Sequence, residues 1–130
     1  MCHVSCVMIN TELLAGYKRL NVWKEAHELT LLVYKVTKTF PRDELFGLTS
    51  QFRRAVISVV ANIVEGQARA SKKEFLQFLY ISNGSLVEVE YYCELARDLD
   101  YIDQKTFMFL NERRVVVGNL LHGLIRSLKH

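Results

Sequence analysis

Proline is nearly missing from this chain. Pro41 is the one example in 130 residues, and only six glycines accompany it. An all-β chain of this length needs many more turn residues, so the scarcity of breakers excludes one and leaves long helices as the expected elements. Cysteine is also sparse. Cys2, Cys6 and Cys93 form an odd set with no paired framework, which points to reduced thiols and a cytoplasmic protein rather than a secreted disulfide scaffold. No apolar run approaches the roughly eighteen residues of a membrane span. The best, from Ala55 to Val64, is broken by Ser58 and Asn62. Residues 1–9 are apolar, but they lack the basic start and long apolar centre of a signal peptide. Charge of one sign is scarce as well: 17 Lys and Arg against 14 Asp and Glu leave a net +3. That permits an anionic partner without requiring one.

What is present is apolar periodicity. Half of the residues are hydrophobic and 24% are charged, the balance of a folded globular chain. One domain with its own core is expected over residues 20–130, preceded by an extension over residues 1–19. A first helix is expected from Asn21, as N-cap, to about Thr39, with Val22, Trp23, Ala26, Leu29, Val33 and Val36 at three- and four-residue steps. Pro41 closes it, because the residue before a proline is pushed out of helical geometry. A second helix is expected from Leu48 to Ala68, capped by Thr49 or Ser50. Phe52, Val56, Val59 and Ile63 form its apolar stripe. Gln51, Arg54, Ser58, Asn62, Glu65 and Arg69 form a polar stripe, which suits either a solvated face or a contact between subunits.

Ser71 and Glu74 make a capping box for the third helix, each side chain meeting a free backbone N–H. From there Phe75, Leu79, Ser82, Leu86, Val89, Cys93 and Ala96 step by four and three, a bundle seam. Gly84 sits mid-helix, where glycine costs roughly 1 kcal/mol against alanine, so a close approach by another helix is expected there. Asp103 caps the fourth helix, whose stripe runs Phe107, Leu110, Arg114, Val117, Leu121, Leu124, Leu128. Short links imply antiparallel neighbours. The expected fold is therefore all-α, an antiparallel up-down four-helix bundle. Met108, Val115, Val116, Leu120 and Ile125 spread apolar surface beyond one face of the fourth helix, which calls for a second partner surface and hence an oligomer.

Catalytic patterns are missing. Bundle di-iron sites need Glu-x-x-His pairs, and the chain has none; His3, His27, His122 and His130 are scattered. Cys2, His3 and Cys6, with Cys93, have irregular spacing for zinc, and incidental thiols are the expected reading. Cys93 lies on the seam, as an inert buried thiol would. Phosphate-binding glycine loops are absent. Glu88, Glu90 and Glu94 are expected to pair with basic residues of a neighbouring helix rather than form an acid–base site. No catalytic residue, metal or cofactor is expected, and the chain is read as a non-enzyme. Basic clusters occur at Lys18–Arg19 with Lys24, at Arg53–Arg54, at Arg69 with Lys72–Lys73, and at Arg113–Arg114. Tyr91, Tyr92 and Tyr101 are possible stacking partners for bases; ordinary helix-end charge is the alternative.

The series Leu20-x-Val22-Trp23-x-x-Ala26-His27 and Phe40-Pro41-x-x-Glu44-x-x-Gly47-Leu48 resembles the bacterial four-helix bundle proteins encoded in 23S rRNA intervening sequences. So do Gln51-x-Arg53-Arg54-Ala55, Asn62-Ile63-x-Glu65-Gly66-x-x-Arg69, Phe75-x-x-Phe78-Leu79 and Gly84-Ser85-Leu86-x-Glu88. The fourth helix matches in character only. The resemblance implies a homopentamer with a central channel and no enzymatic activity. It also implies kinship with accessory variability determinant proteins, which bind nucleic acid and a reverse transcriptase.

Two functional expectations follow. In the first, an oligomeric scaffold binds RNA or DNA, with phosphate contacts from Arg53, Arg54, Arg69, Lys72 and Lys73. Its subunit contacts come from Gln51, Asn62, Glu65, Gly84 and Glu88. In the second, the protein is a protein–protein adaptor whose polar stripe serves only assembly. Neither involves a membrane.

Overall fold

The computed structural model describes residues 16–129; Cys2, His3, Cys6 and His130 lie outside the described residues. Four helices surround one core: α1 Asn21–Thr37, α2 Leu48–Gln67, α3 Lys72–Asp98 and α4 Gln104–Lys129. No strand occurs among the described residues, and 3-10 turns at Gly16–Arg19 and Arg42–Glu44 complete the order. α1 packs on α2 and α4, and α3 packs on the same two helices. The first 3-10 turn packs against α1 and α2, so the last four residues of the expected extension join the folded body.

Helix ends follow local chemistry, with two departures from expectation. α1 starts one residue early in its capping: Leu20, not Asn21, is the extended boundary residue, and no side chain caps it. Leu20 packs against the core from that position, which sets the boundary where apolar burial is gained. At α2, neither Thr49 nor Ser50 is the cap. Gly47 is the boundary, Thr49 is buried in the first turn, and Glu44 Oε1 accepts from Leu48 N at 3.0 Å. The cap therefore comes from the preceding 3-10 turn. Ser71 Oγ accepts from Glu74 N at 3.2 Å, forming the serine half of the capping box. Asp103 Oδ1 accepts from Thr106 N at 2.7 Å, as the sequence pattern anticipates.

α3 closes in a Schellman motif. Asp100 has φ 62°, the left-handed region, Tyr101 N donates to Ala96 O and Asp100 N to Arg97 O, both at 2.9 Å. The Tyr101 hydroxyl then donates to Glu44 Oε2 at 2.7 Å. One glutamate thus caps α2 and ties the α1–α2 link to the α3–α4 turn.

The core contains Leu29, Phe52, Ile63, Leu79, Leu110 and Leu121, all essentially inaccessible. The α2–α3 contact is the most extensive. Small side chains permit it, though not the glycine expected. Ser82 Oγ donates to Val59 O at 2.8 Å, and Ser58 and Ser85 hydroxyls meet at 2.7 Å. At Gly66 a Cβ would lie 2.7 Å from Phe78 Cβ. At Gly84 a Cβ would meet nothing within 4 Å, because the residue lies on the outer face of α3. Within the subunit, the close approach is made at Gly66 and the serines.

Candidate interaction surface

The five basic candidates do not form one patch. Arg53 and Arg54 are consecutive, hence about 100° apart around α2. Arg53 turns toward α1, where its Nε donates to Thr37 Oγ1 at 2.8 Å and its guanidinium stacks 4.6 Å from the Tyr34 ring. Arg54 is exposed and has no ion-pair partner among the described residues. Arg69, just past the end of α2, is about 20 Å further along the axis. It pairs with Glu65 at 2.9 Å and lies over the Phe78 ring. Lys72 and Lys73 are exposed in the first turn of α3. The structure therefore uses Arg53 internally and spreads the other four over two helix faces.

The interface candidates divide similarly. Asn62 is half-buried at the α2–α3 seam, its Nδ2 donating to Ser58 O at 2.8 Å. Gln51, Glu65, Gly84 and Glu88 are exposed. Part of the polar stripe on α2 is thus a helix–helix contact inside the subunit. Glu90 pairs with Arg114 across α3–α4 at 3.6 Å, and Asn111 Oδ1 accepts from the same guanidinium at 2.9 and 3.1 Å. Arg114, the charged member of the α4 stripe, is thereby satisfied at the core's edge. Arg113 pairs with Glu25 of α1.

Sequence reasoning named Met108 on α4, which is 61% exposed, but did not single out exposed apolar surface on the other elements. Phe46 is 92% exposed in the α1–α2 link. It shares a shallow hollow with Tyr34, Leu45, Arg54 and Ile57. On α3, Tyr80, Ile81, Val87 and Tyr91 form an exposed stripe on the side opposite the seam. The available signal was an aromatic residue in a link, and a second apolar period on α3 offset from the first. Another groove, between α1 and α4, is floored by Leu32, Val36 and Phe109 and edged by Lys35 and Lys105.

Burial pushes the Cys93 thiol up to about 12, which keeps it protonated and unreactive at neutral pH. No group of three His, Cys, Asp or Glu among the described residues is arranged to hold a metal. No described helix is long and apolar enough to cross a membrane. The surfaces described comprise an apolar ridge, an exposed aromatic and dispersed cations.

Residues 18–123 match the family described as 23S rRNA-intervening sequence protein, and the chain belongs to that family. The match continues through most of α4, beyond the motifs that first carried the resemblance. The fold is similar to a solved structure from Bacteroides thetaiotaomicron VPI-5482, described as a protein with unknown function from the S23 ribosomal protein family. The TM-score is 0.75 at 24% identity, over 81% of this chain and 95% of that one. None of the curated proteins matches this chain.

Proposed function

We propose that this chain is a non-enzymatic, cytoplasmic scaffold: an up-down antiparallel four-helix bundle that assembles through its own surfaces, as a homopentamer. The observation that carries this reading is the exposed apolar stripe Tyr80–Ile81–Val87–Tyr91 on α3, together with Phe46. Exposed apolar surface of that kind supports an interaction site on a folded chain. The cyclic packing order of the helices and their short links support the up-down arrangement. The pentamer rests on the family resemblance. Light scattering on the purified protein tests it: the expected mass is about 75 kDa, five times 15.1 kDa, and a monomer at micromolar concentration would overturn the reading.

A second reading, in which the assembled scaffold binds RNA or DNA, is favoured by Lys72 and Lys73. These exposed cations have no ion-pair partner among the described residues. Repeated around a ring, they would sum into a stronger field than one subunit carries. Nucleic-acid affinity should then fall with salt, by a slope of about −0.9 per phosphate contact for duplex DNA and less for single strands. No binding at low salt would sink this second reading and leave the adaptor alternative, in which the same surfaces serve protein contacts only.

A further inference from the structure

Gly84 lies in the middle of α3, and nothing inside the subunit uses its missing side chain, because a Cβ there would meet no atom within 4 Å. The turns on either side carry Tyr80, Ile81, Val87 and Tyr91, 47–58% exposed. Deleting one side chain from such a ridge makes a notch with apolar walls. Glu88, one turn beyond Gly84, is exposed and unpaired among the described residues. Elsewhere on the body, the exposed Phe46 stands at the head of α2, and Arg54 lines the same hollow. One surface is a notch with a carboxylate beside it; the other is an aromatic knob with a cation beside it.

We propose, building on the assembly reading above, that copies of this chain join head to tail: Phe46 of one copy seats in the Gly84 notch of the next, and Arg54 pairs with Glu88 there. The opposite charges of Arg54 and Glu88 favour this pairing; a two-fold contact of α3 against α3 would leave Phe46 in water and Arg54 unpartnered. Because the knob and the notch are different surfaces, the contact is heterologous, the kind that builds a ring when the rotation between copies closes.

Two pairs of variants test this. Gly84→Leu fills the notch at a position open to solvent, so the melting temperature of the subunit should hold or rise. Phe46→Ser removes an exposed knob. Each alone should be monomeric by light scattering. Mixed, they should form a 1:1 pair of about 30 kDa, twice 15.1 kDa, because Phe46 of the first still fits the notch of the second and neither can extend further. Arg54→Glu and Glu88→Arg repeat the test with charge alone. Each variant by itself sets like charges against each other at every contact and should be monomeric. In the mixture, every contact between unlike copies joins opposite charges, so mixing should restore masses above the monomer. Variants that keep the wild-type mass overturn this contact while leaving assembly intact. Monomeric variants that fail to complement on mixing overturn the head-to-tail geometry. A monomeric wild type overturns the assembly reading itself.

Discussion

At Gly66 an added methyl group would lie 2.7 Å from Phe78 Cβ and 3.0 Å from Phe75 Cδ1. Neither neighbour is the free end of a flexible chain, so Gly66→Ala must push α2 and α3 apart. Overpacking of this kind costs about 1–3 kcal/mol, which urea unfolding followed by circular dichroism will register. Arg53 makes a contrasting case. Its bond to Thr37 and its stacking on Tyr34 make it a structural cation, and Arg53→Ala should cost about 1–2 kcal/mol of stability. Any affinity for nucleic acid should be unchanged by it, whereas Lys72→Ala should do the reverse; filter binding and thermal melts on both variants separate the roles. Periodicity shows that Arg53 and Arg54 point in different directions. It does not show that Thr37, sixteen residues earlier, stands ready to receive one of them. The glycines have the same ambiguity: sequence identifies both Gly66 and Gly84, but only the packed structure shows which faces a helix and which faces out.

The ends of the elements were legible where the capping residue lies next to the helix it caps. Ser71 and Asp103 act on their immediate neighbours, and their helices begin as expected, whereas α1 ends at Thr37, two residues before the end expected from Pro41. The start of α2 at Leu48 was legible, but its cap was not, since Glu44 reaches it from a separate 3-10 turn. That carboxylate is held below its ordinary range by the Leu48 N–H first and the Tyr101 hydroxyl second. A folded pKa below the unfolded one means that the unfolded chain binds more protons between the two. Stability is therefore present above the ordinary glutamate value and falls as the pH drops through the folded value. Glu44→Ala should lower the melting temperature at pH 7 and flatten its decline below about pH 4.5. The Tyr101 hydroxyl is raised above the ordinary tyrosine range by its bond to Glu44. The stability it contributes is lost as the pH rises through that raised value. Tyr101→Phe should accordingly flatten the alkaline limb of the same melting curve.

For the molecule as a whole, the fold class was legible because four apolar stripes of helical period require one another, and short links decide which neighbours meet. The interaction surface was less so. A seam and an exposed ridge on the same helix, such as Leu79–Leu86–Val89 and Tyr80–Val87–Tyr91, have similar composition and spacing. They differ only in phase relative to the other helices. The polar stripe on α2 misled for a related reason: Ser58 and Asn62 are polar yet packed, spent on each other and on Ser85.

The short link and extensive contact between α2 and α3 also bear on how the chain acquires its shape. Contacts between sequence neighbours form with little loop-closure entropy, whereas joining α1 to α4 must wait for nearly the whole length. The hairpin Leu48–Asp98 is therefore expected to gain protection first in pulse-labelled hydrogen exchange, with α1 docking later; simultaneous protection of all four helices would count against it. During synthesis, the stretch carrying Phe46 and Gly84 would then be ordered before α4 has left the ribosome. Nascent chains growing side by side would be able to meet through those surfaces while still attached.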